Sequence, residues 1–240
     1  MDLRVLLALT AVPVVAAAVS GAVAAVHRPG PRLTSGLQHF AAGVVFAAAA
    51  IDLLPAVLER SPWVAIIGFG AGIAVMFGFR ALSEGIEHRR QVRGQSGLPV
   101  GLAIATGTDF FIDGIILGAA FAADSAIGVL LSVALAVEYL FVGLSLSATL
   151  AGSASRRLVA LAPVGLALLT VLGAVLGALA LGDASPTVLA GILAFGTVAF
   201  MYLATEELLV EAHAEGESSI GSIGYFAGFL LYLVLSELVH

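Results

Sequence analysis

The sequence predicts an all-α membrane protein, a single transmembrane domain over residues 1–240 built as a bundle of eight helices. Three observations carry this. Sixty per cent of the residues are hydrophobic, 11% are charged and the mean hydropathy is +1.11, far outside the soluble globular range. Apolar runs recur at roughly 20 residues or more, the length that crosses a hydrocarbon core of about 30 Å. The arginines gather on alternate connections between those runs. Lipid admits only helices and closed barrels, and these runs are too long and too uniformly apolar for barrel strands.

Charge and Pro/Gly clusters divide the chain into helices near 4–26, 37–59, 62–84, 97–123, 125–152, 158–182, 186–213 and 219–239. The first, an apolar run from Val5 to Val26, carries no cleavage signal and is long enough to span, so it counts as a helix and not as a removed signal peptide. Helices four and five meet at a turn near Asp124–Ser125. No hydrophilic stretch is long enough to fold separately. The Gly and Ala at 41–50 and 171–179 let helices approach closely.

Orientation follows from arginine, since all ten basic residues are Arg. Loops one, three and five hold Arg28, Arg32, Arg89, Arg90, Arg93, Arg156 and Arg157, with Arg80 near the same end of helix three; the opposite side has Arg4 and Arg60. Positive-inside bias places loops one, three and five in the cytoplasm and both termini outside, the expected setting being the plasma membrane. The acidic EGESS at 215–219 breaks the pattern but weighs little in that rule. The absence of cysteine excludes disulfides, thiolate metal sites and Cys nucleophiles. With neither H-E-x-x-H nor G-x-S-x-G present, an enzyme is not expected.

Against this background, Asp109, Asp113 and Glu138 stand out. An ionisable side chain at bilayer depth costs about 2.5–3.5 kcal/mol on the lenient insertion scale, so three cost roughly 8–10 kcal/mol. Asp109 and Asp113 are spaced i, i+4 on one helix face with Thr106; on the next helix Glu138, Ser145 and Thr149 form a polar stripe. At 1.5 Å per residue, Glu138 and the aspartate pair both lie roughly 20 Å from the intervening turn, so all three reach one level near the bilayer centre. No arginine in either helix neutralises them. A dehydrated divalent cation suits three carboxylates better than one proton does, although a protonated polar cluster and a proton relay remain as alternatives.

At these residues the chain resembles the ZIP family of divalent-metal transporters. Asp109-Phe110-Phe111-Ile112-Asp113-Gly114 occupies the frame of that family's helix-four motif, His-Asn-x-Pro/Thr-Glu/Asp-Gly. Glu138-Tyr139-Leu140-Phe141-Val142-Gly143-Leu144 matches the frame of its helix-five motif, His-Asn-x-Pro-Glu-Gly-Leu. FAAGVVFAAAAIDLLPAVLE at 40–59 and YLATEELLVEAH at 202–213 resemble the second and seventh helices. The resemblance implies eight helices with both termini outside, and import of a metal of the zinc, iron or manganese class as transported substrate, without an organic cofactor. It implies one metal site, Asp109, Asp113 and Glu138, and loss of the family's second site, because Phe110, Tyr139 and Val142 stand at its ligand positions. All-oxygen ligation is hard, which favours Mn²⁺, Fe²⁺ or Mg²⁺ over Zn²⁺. The alternatives are a proton-coupled or channel-like cation permease and a non-transporting, metal-sensing or structural relative.

Secondary polar residues follow. Asp52, with Glu59 beyond it, lies near the outer end of helix two, either attracting cations or reaching interfacial water. Glu206, Glu207, Glu211 and His213 cluster at the cytoplasmic end of helix seven, where the resemblance implies an exit-side metal relay and a solvated helix end is the alternative. His27, His39, Glu84, His88 and Glu237 read as interfacial or loop residues. The expected partners are the lipid bilayer and the metal ion, with a homodimer left open and no nucleic acid.

Overall fold

The structure, a computed structural model, describes residues 3–27, 30–59, 62–92, 100–150, 154–214 and 219–239. Among them every regular element is helical: α1 (Leu3–Val26), α2 (Pro31–Ala47, continuing through the π-turn Ala48–Leu53 to Leu54–Leu58), α3 (Pro62–Val92), α4 (Val100–Ala123), α5 (Ser125–Leu150), α6 (Arg156–Leu181), α7 (Pro186–Tyr202, the π-turn Leu203–Leu208, then Leu209–Ala214) and α8 (Ser219–Val239). Among the described residues, eight helices are long and apolar enough to cross a membrane. The chain is a multi-pass, all-α membrane protein.

Two helix ends differ from the sequence expectation. Helix α2 starts at Pro31 and not near residue 37, because Gly30 is extended (φ −71°, ψ 157°) and the following proline suits a first helical turn. Helix α3 runs past residue 84 to Val92, since Glu, Arg and Gln are good helix formers and carry the helix through the single Gly85. Short connections are fixed by side-chain caps. The Asp124 carboxylate accepts from the Ala126 amide at 2.7 Å and starts α5; Ser155 and Ser185 cap α6 and α7 in the same way. Arg28, Arg60, Arg93 and residues 215–218 lie outside the described residues, as do the side chains of Glu84, His88, Arg89 and Arg90.

The helices pack in two groups. Helix α4 lies along α6, and α1 along both α5 and α6; α8 lies along α2, and α3 along α7. Glycine sets the closeness of these pairs. A Cβ at Gly118 would lie 2.7 Å from the Ala174 carbonyl oxygen, and one at Gly43 would lie 2.9 Å from the Phe229 amide, so α4–α6 and α2–α8 meet backbone to backbone. Pairings between the groups, such as α2 with α5 and α4 with α7, are less extensive. The common core there is filled by large, fully buried side chains, Phe110, Leu135 and Tyr139 from one group and Leu193 and Phe200 from the other. Outward faces carry exposed Leu161, Leu168, Leu172 and Leu179 on α6 and Trp63, Ile66 and Ile67 on α3, as a lipid-facing surface requires.

Candidate metal centre

The α4–α5 hairpin, held at its turn by the Asp124 cap, brings Asp109, Asp113 and Glu138 together: one oxygen from each carboxylate lies within 4.8 Å of the others. A cation bonded to oxygen at about 2.0–2.6 Å holds its ligands no more than roughly 5 Å apart, so this spacing fits one ion. Glu138 is fully buried, Asp113 is 2% exposed and Asp109 is half-buried. Neither oxygen of Glu138 has a hydrogen-bond partner among the described residues. A buried carboxylate in that state is costly unless something positive meets it.

The other two carboxylates have different surroundings. Asp113 Oδ2 accepts a hydrogen bond from the Tyr139 hydroxyl at 3.2 Å, and that hydroxyl lies 2.5 Å from Thr170 Oγ1 of α6. The Tyr139 ring stacks on Phe110, with centroids 3.7 Å apart and planes 16° from parallel. Asp109 opens onto a cavity of about 370 Å³, which Thr106, Arg80, Tyr202 and Glu207 also line. The cavity wall includes Leu82 of α3 and Leu102 near the start of α4. Seven residues separate Leu102 from Asp109, roughly 10 Å along a helix. The cavity therefore runs from Asp109 toward the α3–α4 connection.

The secondary residues scatter more than the sequence suggested. Glu206 forms an ion pair with Arg80 at 3.1 Å, with both side chains nearly half-exposed, whereas Glu207 lines the cavity. Glu211 takes a hydrogen bond from Ser145. Thr149 donates to the Ser145 carbonyl of its own helix at 3.1 Å and contributes nothing to the carboxylate cluster. His213 Nδ1 bonds the Leu209 carbonyl at 2.5 Å, and its ring meets His39 edge-on at 5.0 Å. His39 does not face solvent: it is 5% exposed, bonded through Nδ1 to the Ser35 carbonyl, and packed where Gly221 leaves room for its ring. Asp52 does not reach water either. It is 4% exposed, and its two oxygens accept from Tyr232 at 2.5 Å and Ser236 at 2.9 Å of α8.

Sequence reasoning missed Tyr139, Thr170 and Arg80. The first two carry no charge: a phenol in an apolar helix reads as core packing, and a threonine hydroxyl there usually bonds its own backbone. The signal for Arg80 was its place within an apolar helix facing another that carries acids. No protein-family model and no curated protein matches the chain.

Proposed function

We propose that the chain is a divalent metal cation transporter of the ZIP type, importing a metal of the zinc, iron or manganese class through the carboxylate site between α4 and α5. One observation carries this: three carboxylates converge in an apolar bundle, and the most buried of them, Glu138, is unpartnered among the described residues. A cation supplies the missing charge, and the cavity leading to Asp109 supplies a route to it. Under positive-inside orientation that route opens to the cytoplasm and both termini lie outside the plasma membrane. The all-oxygen donor set favours Mn²⁺ and Fe²⁺ over Zn²⁺.

Uptake into proteoliposomes, read with Mn²⁺, Fe²⁺, Zn²⁺, Cd²⁺ and Mg²⁺ in competition, tests the proposal. Wild-type protein accumulates cation and Asp113→Ala does not, because one of three ligands is gone. Binding without accumulation identifies a sensor or structural relative instead. Failure of every cation both to bind and to enter eliminates the metal site itself.

A further inference from the structure

We propose that Tyr139 is a positioning residue that holds Asp113 to one ligand oxygen and thereby sets which cation the site prefers, an inference that rests on the metal-binding role proposed above. The Tyr139 side chain is fully buried. Its ring is clamped against Phe110, and its hydroxyl sits between Asp113 Oδ2 at 3.2 Å and Thr170 Oγ1 at 2.5 Å. A phenol has a single proton. Tyr139 donates it to Asp113, so the Thr170 hydroxyl donates to the tyrosine oxygen, and the chain of donors has a fixed direction.

Three helices build this clamp. Asp113 comes from α4, Tyr139 from α5 and Thr170 from α6. Thr170 reaches the site because the residue after Asp113 is glycine. A Cβ at Gly114 would collide with the Thr170 carbonyl and lie 2.8 Å from the Ala174 amide, so only glycine lets α6 come this close. The residues that fill the site's flank therefore do more than pack.

The consequence is a count of ligand atoms. The hydroxyl proton occupies one lone pair of Oδ2 and leaves Oδ1 the less encumbered ligand atom of Asp113, while Glu138 has both oxygens free of hydrogen bonds from the described residues. Monodentate carboxylates suit small cations that demand regular octahedral geometry at about 2.0–2.1 Å; bidentate ones suit larger cations that take 6–8 oxygens at 2.3–2.6 Å. Tyr139→Phe keeps the ring and its stacking partner but releases Oδ2. Asp113 then binds bidentate, and preference moves toward the larger ion.

The test is calorimetric titration of the full-length protein in nanodiscs with Mn²⁺ and with Ca²⁺. Tyr139→Phe raises the Ca²⁺-to-Mn²⁺ affinity ratio about 10-fold, at the lower end of what outer partners of metal ligands typically contribute. Thr170→Val shifts the ratio in the same direction by loosening the phenol, and Thr170→Ser, which keeps the hydroxyl, leaves it at the wild-type value. A general loss of packing lowers both affinities together and leaves their ratio alone. Ratios within twofold of wild type in both Tyr139→Phe and Thr170→Val overturn the inference while leaving the metal site intact. A wild-type protein that binds neither cation removes the site and the inference with it.

Discussion

Glu138 concentrates the residue-scale energetics. It is fully buried with both oxygens unpartnered among the described residues, a state that costs several kcal/mol for a charged group. Glu138→Gln keeps the shape and removes the charge. The expected outcome is a cation-free melting temperature at or above wild type, together with loss of stabilisation by cation. For wild type, a cation at 100 times its Kd contributes about 2.7 kcal/mol, roughly 5–10 °C for a chain of this size. Thermal scans of both proteins with and without Mn²⁺ check this, and an equal cation-induced shift in the two refutes a ligand role for Glu138. The three carboxylates were legible in the sequence because charge at bilayer depth is expensive enough to demand a reason. Tyr139 and Thr170 were not. A phenol in an apolar helix reads as core packing; threonine hydroxyls there ordinarily bond the carbonyl one turn back, as Thr149 and Thr197 do here, and the close approach of α4 to α6 sets Thr170 beside a neighbour.

At the scale of elements, hydropathy located all eight helices but gave no hint of the π-turns in α2 and α7. A π-turn admits one extra residue and changes which face the following side chains occupy. Nothing in AAAIDL or LATEEL breaks a helix by propensity, so the feature is tertiary in origin. In α2 the turn contains Asp52, which is presented to Tyr232 and Ser236. In α7 it contains Glu206, paired with Arg80, and its neighbour Glu207, which lines the cavity. The sequence left Asp52 either attracting cations or reaching interfacial water because it lies close to the end of an apolar run; burial against α8 removes the second reading. Removing either partner takes a hydrogen bond from a buried carboxylate, so Tyr232→Phe and Ser236→Ala are each expected to cost about 1–3 kcal/mol. The double variant departs from the sum of the two, because both hydroxyls act on one carboxylate. Denaturation of the purified variants in detergent measures these costs, and strict additivity contradicts a shared partner.

For the whole molecule, the packing pattern bears on how an ion held at the proposed site would reach both sides. Within each group of four helices, backbone meets backbone through glycine, and sliding one helix along another drives a carbonyl into the next residue's Cβ. Between the groups, contacts are fewer and are made by side chains, which can exchange neighbours. Asp109 opens onto a cavity bordered by α3, α4, α5 and α7, helices drawn from both groups. Transport of the kind proposed would call for the group of α1, α4, α5 and α6 to shift against the group of α2, α3, α7 and α8, carrying the carboxylates to the opposite face. The absence of cysteine makes the natural sequence a ready background for a crosslink between the groups. Ile116 of α4 and Gly196 of α7 are suitable: a Cβ at Gly196 lies 2.7 Å from Ile116 Cγ2 and 3.2 Å from Cγ1. Replacing isoleucine by the smaller cysteine clears those atoms, and the two Cβ positions then approach the roughly 3.8 Å typical of a disulfide. The oxidised Ile116→Cys/Gly196→Cys protein should bind Mn²⁺ with wild-type affinity yet fail to accumulate it in proteoliposomes, and a reductant should restore uptake in the same preparation. Full uptake by crosslinked protein would mean that the ion passes a fixed bundle as through a channel, with the two groups serving only as its walls.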